Sequence, residues 1–334
     1  MKIEKNIYCH LISTENIFDA WRGFRRGKNR KEDVLCFERN LESNLFCLLD
    51  DLTTMNYQHG GYQRFYVYDP KFRIINKAEV RDRVVHHLVY KKLCQIYEPC
   101  FIRDSYSSRI GRGSHLAVAN LRKELRRAGN NFHKQIFALK GDVKKFFDNI
   151  NHGVLLNVLS KKIHDHDFLW LIRQIVFSFG KGKSLPLGNV TSQIFANVYL
   201  NELDQFVVRE LRPRYYSRYA DDFIMIANNG CYLKTAVQMI KDFLMDNLAL
   251  SLHEGKTKIR KFGQGLDFCG YVALPRYCRL RTKTARRMIK KSTNNFADYL
   301  SGRIDDRQSA QYLSSYLAML KHCCGRYLLN RLLR

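Results

Sequence analysis

Two adjacent carboxylates, Asp221 and Asp222, lie between two strand-like runs of the chain. The run before them, Tyr215–Arg218, is polar and aromatic, and the run after them, Phe223–Ala227, is apolar. Two such runs with so short a connection predict a β-hairpin with the carboxylates at its tip. Neighbouring carboxylates repel each other unless a cation lies between them. The chain therefore needs a fold that brings a cation to this tip.

The charge of the chain predicts a polyanionic partner. Its 334 residues include 57 Lys and Arg against 31 Asp and Glu, a formal net charge of +26, and basic residues occur throughout. No apolar stretch approaches the roughly 18 residues of a membrane span, and the N-terminus has no signal-peptide order. A soluble, cytoplasmic protein of two or three interwoven subdomains is expected. The ten cysteines are scattered, without the spacing of a zinc site.

Hydrophobic periodicity predicts alternating helices and strands, so the expected class is α+β. A strand over Gln135–Leu139 delivers Asp142, and a helix capped by Asn151 follows. A helix capped by Ser114 is expected through Arg127, closed by Gly129, with a basic face formed by Arg122, Lys123, Arg126 and Arg127. The other expected helices are one with recurring apolar residues over 80–93, a long amphipathic helix from Ser192 to about Leu211, a helix over 233–248, and basic helices from Thr282 onward. The other expected strands are a strand or hairpin at 62–68 and short strands over 267–274 and 278–281.

Asp142, Asp221 and Asp222 together suit two-metal nucleotidyl transfer. That reaction needs two divalent ions roughly 3.5–4 Å apart, one at the attacking 3′-hydroxyl and one at the departing pyrophosphate. Mg²⁺ is a hard ion that keeps several waters, so two or three carboxylates suffice, and Mn²⁺ is expected to substitute. An Asp-Asp pair alone is more often a solvated turn, so the interpretation depends on Asp142.

The segments Tyr219–Asp222 and Gly141–Phe147 closely resemble the two catalytic motifs of reverse transcriptases. The resemblance implies a right-hand polymerase fold: an N-terminal basic extension at 1–30, mainly fingers at 31–134, palm at 135–281 with 153–190 partly fingers, and a helical thumb at 282–334. It implies that the metals are held by Asp142, Asp221 and Asp222 with the backbone carbonyl of Val143. Lys256 matches the lysine proposed to protonate pyrophosphate, although by residue type it is an ordinary loop lysine.

Further segments of this chain resemble other motifs of the family and follow one another in the family's order. The resemblance implies that the nucleotide-binding residues are Arg73, Phe147, Leu187, Gly188 and Gln193, that template is bound by Arg109 and Arg112, and that the primer grip is Phe268, Cys269, Gly270 and Tyr271. Arg73 would pair with triphosphate oxygens, and the ring of Phe147 would exclude a 2′-hydroxyl. The alternatives are a solvated surface arginine and a core phenylalanine.

The segment Leu185–Gln193 is similar to that of reverse transcriptases from diversity-generating retroelements, a bacterial and phage group. Most reverse transcriptases have Gln where Leu187 stands. Without that amide beside the incoming nucleotide, correct and incorrect base pairs should be discriminated less well. The resemblance implies copying of template-repeat RNA into adenine-mutagenised cDNA. Its implied partners are the template RNA and the cDNA/RNA duplex, dNTPs, and a small, basic, oligomeric accessory variability protein.

Three alternatives stay open at this point. A retron-like or defence-associated reverse transcriptase would share the fold and the carboxylates. A catalytically idle RNA-binding scaffold or an intron maturase would need no active centre, yet the chain retains the mutually repulsive set Asp142, Asp221 and Asp222. Leu187 could also be a packing substitution with no effect on fidelity.

Overall fold

The computed structural model describes residues 3–332, so the ends of the predicted extension (1–2) and thumb (333–334) lie outside the described residues. The helices are α1 Ile7–Leu11, α2 Thr14–Arg25, α3 Glu32–Glu38, α4 Leu41–Thr53, α5 Val80–Tyr97, α6 Ser114–Ala128, α7 Phe146–Asn149, α8 His152–Ser160, α9 His166–Phe177, α10 Val190–Phe206, α11 Gly230–Leu248, α12 Thr282–Leu300, α13 Asp306–Leu320 and α14 Arg326–Leu332. The strands are β1 Tyr62–Val67, β2 Arg73–Ala78, β3 Phe137–Asp142, β4 Tyr215–Tyr219, β5 Asp222–Ala227, β6 Lys258–Lys261, β7 Leu266–Phe268, β8 Tyr271–Ala273 and β9 Cys278–Leu280. The mixed class predicted from the sequence is confirmed.

The described residues divide into two compact units, each assembled from three chain segments. The segments of the first unit are Met1–Arg103, Val143–Leu211 and Met239–Leu252. The segments of the second unit are Asp104–Asp142, Arg212–Gln238 and His253–Arg334. The units are therefore interwoven along the chain, as its lack of linker-like segments predicts.

The first unit is built around α5, which packs against α2 and α10. Trp21 and Phe24 of α2 are buried, so the N-terminal segment contributes to this core. Strands β1 and β2 form an antiparallel hairpin over the region predicted as a strand or hairpin. The side chain of Asn151 accepts a hydrogen bond from the Val154 amide, which confirms the predicted cap of α8.

Helix α10 differs from its prediction at both ends. It begins at Val190 rather than Ser192 and ends at Phe206, after which Val207–Leu211 forms a π-helical turn. The side-chain amide of Asn189, just before the helix, donates to the Asn76 carbonyl oxygen at 2.9 Å. Hydrophobic periodicity, on which the predicted start of the helix was based, contains no information about this long-range contact. The helix is also buried on most sides rather than amphipathic.

The second unit contains an antiparallel sheet in the order β4-β5-β3-β6. One face of the sheet presents Ala138, Ile224 and Ile226 to the buried side of α6. Because side chains alternate along a strand, Asp142 and Asp222 lie on that same face, at the end of the strands. The core of this unit therefore ends at the carboxylates.

Two local predictions in the second unit were wrong. Ser114 is the first residue of α6 and does not cap it; Gly113 occupies the cap position without a side-chain bond. The strand predicted over 267–274 is a hairpin of β7 and β8 instead. Its two-residue turn, Cys269–Gly270, has φ of 49° and 86°, which matches a type I′ turn. The sequence does not predict this turn, because its first position favours Asn, Asp or Gly and not cysteine.

Helices α12, α13 and α14 follow β9 and pack against one another, which confirms the predicted helical segment after Thr282. Within residues 3–332, no helix combines the length and the apolar character that crossing a membrane requires.

Candidate active site

The pairing of β3 with β5 places Asp142 directly opposite Asp222. Strands β4 and β5 form the predicted hairpin, with Tyr219 opposite Asp222 and a two-residue turn at Ala220–Asp221. Ala220 has φ of 53°, a left-handed conformation that an alanine adopts at a cost. The buried guanidinium of Arg218 donates a hydrogen bond to the Ala220 carbonyl oxygen at 3.0 Å and stabilises this turn.

A close contact between Gly141 and Phe223 sets the register of the two strands. A Cβ atom on Gly141 would lie 2.1 Å from Cζ of the Phe223 ring, so only glycine fits. Phe223 is fully buried. The ring and the glycine are neighbours of the two carboxylates, and their contact holds Asp142 and Asp222 at adjacent positions.

Two lysines neutralise the carboxylates. The Lys256 ammonium lies 2.7 Å from Oδ1 of Asp142, and the Lys140 ammonium lies 3.6 Å from Oδ2 of Asp222. Lys256 comes from the loop before β6, and the backbone amide of His253 in the same loop donates to the Asp142 carbonyl oxygen (2.7 Å). This loop is therefore attached to the strand end that carries Asp142.

The electrostatics of the pair favour a proton on Asp222. Burial raises the pKa of Asp222 to about 6 from its ordinary 3.8, against the opposing effect of Lys140. The negative charges of Asp142 and Asp221 raise it further, as does a hydrogen bond with the Asp142 side chain. Asp222 therefore takes up a proton at a higher pH than an ordinary aspartate does.

The donor set fits a hard divalent cation. Carboxylate oxygens are the ligands that Mg²⁺ and similar ions prefer, and a cation would relieve the repulsion that raises the pKa of Asp222. Within the described residues, no group of three His, Cys, Asp or Glu side chains forms a preorganised metal cluster. The observed arrangement is a carboxylate pair whose oxygens contact Lys140 and Lys256.

The residues predicted to bind nucleotide belong to the first unit, where one loop brings several together. The Asn76 amide on β2 donates to the Leu187 carbonyl oxygen at 2.9 Å, and the Leu185 amide donates to the Phe147 carbonyl oxygen at 2.9 Å. Gly188 has φ of 112°, and a Cβ there would lie 2.6 Å from Cγ2 of Ile75. The segment around Leu187 is thus held against β2.

Side-chain exposure distinguishes the members of this set. Phe146 is buried, whereas Phe147 is half-buried with its ring 5.5 Å from that of Phe146. Arg73 and Gln193 are exposed, and Leu187 is half-buried. Val143, which was predicted to offer its carbonyl, is buried in the first unit and forms a β-bridge with Leu252.

The segments expected to grip primer and template lie in the second unit. Phe268 and Tyr271 are core residues, and the Cys269–Gly270 turn between them is half-buried. Burial, followed by the charge of Asp222, raises the pKa of the Cys269 thiol well above its ordinary range. Arg109 is buried and donates to the Ser105 carbonyl oxygen (2.7 Å), so it supports its own loop, while Arg112 is partly exposed.

Sequence reasoning missed Lys140 and Arg218. Lys140 precedes Asp142 by two residues on a strand, so the alternation of side chains would have placed both on one face. Arg218 precedes the carboxylates in the hairpin, and its near-complete burial has no signal in the sequence. Both residues support the site: Lys140 by charge and Arg218 by holding the turn.

Comparisons with known proteins find similar sequences over most of the chain. Residues 68–314 match the family model described as reverse transcriptase (RNA-dependent DNA polymerase). Protein YkfC of Escherichia coli is 25% identical, with 79% of this chain and 80% of that protein covered. The group II intron-encoded protein LtrA of Lactococcus lactis is 25% identical over 76% of this chain, and the chain spans about half (53%) of LtrA.

A solved structure shares the fold. Apo telomerase from Candida tropicalis, truncated from its C-terminal domain, superposes with a TM-score of 0.51 at 14% identity, covering 66% of this chain and 55% of that one. Reverse transcriptases bind template RNA and dNTPs and generally use divalent metal ions. Because the family model covers most of the sequence, the chain belongs to the reverse transcriptase family of RNA-dependent DNA polymerases, with a group II intron-encoded protein among its relatives.

Proposed function

We propose that this chain copies RNA into DNA at a centre formed by Asp142, Asp221 and Asp222. The observation that carries the proposal is the pairing of Asp142 with Asp222 beside the hairpin turn. Two Mg²⁺ ions, which Mn²⁺ can replace, would be held by these carboxylates and the Val143 carbonyl, and when bound they supply charge at the attacking 3′-hydroxyl and the departing pyrophosphate.

The neighbouring lysines have separate roles in this proposal. Lys140 offsets the negative charge that burial makes costly at Asp222. Lys256 holds Asp142 when no cation is bound, and its ammonium becomes available to protonate pyrophosphate when the carboxylate takes a metal. Its partial exposure supports that second role, because a leaving group must be able to reach it.

The family's division into fingers, palm and thumb is proposed for this chain with the boundaries given above. Residues 1–30 are the N-terminal extension, 31–134 mainly fingers, 135–281 palm with 153–190 partly fingers, and 282–334 the thumb. The half-buried turn at Cys269–Gly270 serves as the primer grip, with Phe268 and Tyr271 anchoring it in the core. Template contact is assigned to Arg112, with Arg109 supporting its loop.

Nucleotide selection is assigned to the first-unit residues. Arg73 is exposed and can pair bidentately with triphosphate oxygens. The half-buried Phe147, packed on Phe146, has the rigidity needed to exclude a 2′-hydroxyl. Gly188 and Gln193 complete the set beside Leu187, whose apolar side chain offers an incoming base no hydrogen bond.

The retroelement subtype rests on Leu185–Gln193. We propose that the template is template-repeat RNA and that the cDNA carries errors at template adenines. The partner proposed is the basic, oligomeric accessory variability protein. Two strongly basic proteins repel, so their association should strengthen when RNA is added; binding of the bare proteins that is independent of salt would contradict this partnership.

The direct test is primer extension on a defined RNA template with Mg²⁺, followed by sequencing of the products. Replacing Asp221 and Asp222 with Ala should abolish extension, because the metal ligands are lost. The matched control is Asp298→Asn, which removes an exposed carboxylate of the same unit. Extension that persists in the double variant would overturn the assignment of the centre.

A second candidate is an intron-type or retron-like reverse transcriptase without adenine mutagenesis, favoured by the similarity to LtrA. Both candidates predict extension, so the error spectrum decides between them. Errors concentrated at template adenines support the first candidate, and a flat spectrum supports the second.

A further inference from the structure

A basic surface on α6 has no role in the centre described above. Arg122, Lys123, Arg126 and Arg127 are exposed, while the opposite side of the helix is buried against the sheet. Among residues 3–332, none of these four cations forms an ion pair with a carboxylate. Their charge is therefore free to attract an anion.

A cavity of about 550 Å³ opens between this surface, the segment after α6 and the turn between β8 and β9. Arg122, Lys123, Arg126 and Arg276 line its rim. Its apolar wall includes Phe132 and Phe262, whose ring centroids lie 5.8 Å apart. We call this space the α6 cavity; its size lies within the range of small-molecule sites.

The segment that carries Phe132 is held in an unfavourable conformation. Asn130, Asn131 and Phe132 have φ of 47°, 54° and 71°, three successive left-handed residues without a glycine. Asparagine tolerates this conformation, whereas for Phe132 it costs about 1–3 kcal/mol and persists only where neighbouring contacts enforce it. Here Nε of Arg126 donates to Oδ1 of Asn131 at 2.7 Å. The aromatic ring and the cationic rim are thus fixed together.

The α6 cavity lies at the opposite end of the sheet from the carboxylates. Phe132 precedes the first residue of β3, Phe137, and Asp142 is its last residue. Five residues of strand separate the two ends by roughly 16 Å. A ligand in the cavity is therefore not the primer end or the incoming nucleotide.

We propose that the α6 cavity binds an unpaired nucleotide of a single-stranded nucleic acid outside the polymerase centre. Guanidinium groups at the rim hold the flanking phosphates, and the base contacts the aromatic wall. An acidic peptide would satisfy the rim but would leave the aromatic wall without a planar partner. The proposal needs no polymerase chemistry, since it concerns binding alone.

The test measures fluorescence anisotropy of labelled 12-nucleotide RNA and DNA of one sequence, without dNTPs and with a short primer–template duplex in excess to fill the polymerase centre. The cavity variant combines Arg122→Gln, Arg126→Gln and Arg276→Gln. The control variant removes the same charge from exposed sites of the first unit with Arg22→Gln, Lys161→Gln and Lys241→Gln. A preference for RNA or for DNA identifies template or product as the source of the strand.

The cavity variant should bind at least about tenfold more weakly than the control variant, and its salt dependence should fall by about two, at 0.7 per phosphate contact. Phe132→Leu keeps an apolar side chain but removes the ring, and should weaken binding about fivefold or more with no change in salt dependence. Equal losses in cavity and control variants, or unchanged binding by a folded Phe132→Leu protein, would overturn the proposal. Asp222→Asn should bind normally, which separates this outcome from failure of the proposed polymerase function.

Discussion

Replacing Asp222 with Asn should stabilise the metal-free protein at neutral pH while abolishing polymerisation. The pKa of Asp222 is raised to about 6 from 3.8, so the folded state disfavours the ionised carboxylate. At 1.36 kcal/mol for each tenfold change in the acid dissociation constant, this costs about 3 kcal/mol at pH 7.5. That figure already includes the attraction of Lys140. An Asn amide is neutral and can still donate to Asp142.

The sign of the pH dependence follows from linkage. Because the folded-state pKa is the higher one, the protonated carboxyl favours folding below about pH 4, and this contribution disappears as the pH rises through 6. The Asp222→Asn variant keeps this contribution at every pH, because its amide does not ionise. The gain in the free energy of unfolding should therefore be about 3 kcal/mol at pH 7.5 and only about 0.6 kcal/mol at pH 4.

Thermal unfolding in EDTA at both pH values measures the effect. At about 2–4 °C per kcal/mol, the transition temperature should rise by several degrees at pH 7.5. Added Mg²⁺ should stabilise the wild type more than the variant, because binding to the folded state adds stability. Asp298→Asn controls for the loss of a charge. A variant that is no more stable at pH 7.5, or equally stabilised at pH 4, would refute the reasoning.

Four further substitutions have defined outcomes. Lys256→Gln should lower kcat about 10²-fold or more, since it removes the proposed general acid, as steady-state kinetics would show. Phe147→Val should raise ribonucleotide incorporation relative to deoxynucleotide, measured by competitive extension. Leu187→Gln should reduce mispairs at template adenine, measured by cDNA sequencing. Gly141→Ala should destabilise the fold by about 3 kcal/mol through collision with Phe223, measured by chemical denaturation.

Each of these has an outcome that would count against it. An unchanged kcat in Lys256→Gln would place the proton donor elsewhere. Unaltered sugar selection in Phe147→Val, or an unaltered error spectrum in Leu187→Gln, would remove those residues from nucleotide selection. Gly263→Ala is the control for Gly141→Ala, because a Cβ there meets no atom within 4 Å; equal effects of the two would contradict the packing argument.

Local patterns predicted much of the second unit. The hairpin that carries Asp221 and Asp222 follows from two short strand-like runs joined by four residues, and the structure has a hairpin there, with its turn at Ala220–Asp221. The helical segment after Thr282 is equally evident, since periodicity depends only on nearby residues. The wrong predictions concern ends and turns, such as Ser114 and Cys269, where one contact or one backbone angle decides.

The sequence by itself determined the residue types of the centre, the mixed fold class and the family resemblance, because these depend on composition and short-range order. Only the tertiary structure decided that Lys140 approaches Asp222 and that Arg218 is buried beneath the turn. Strand register depends on a contact between Gly141 and Phe223, which are far apart in the chain. The raised pKa of Asp222 depends on burial, which is a property of the packed unit and not of any segment alone.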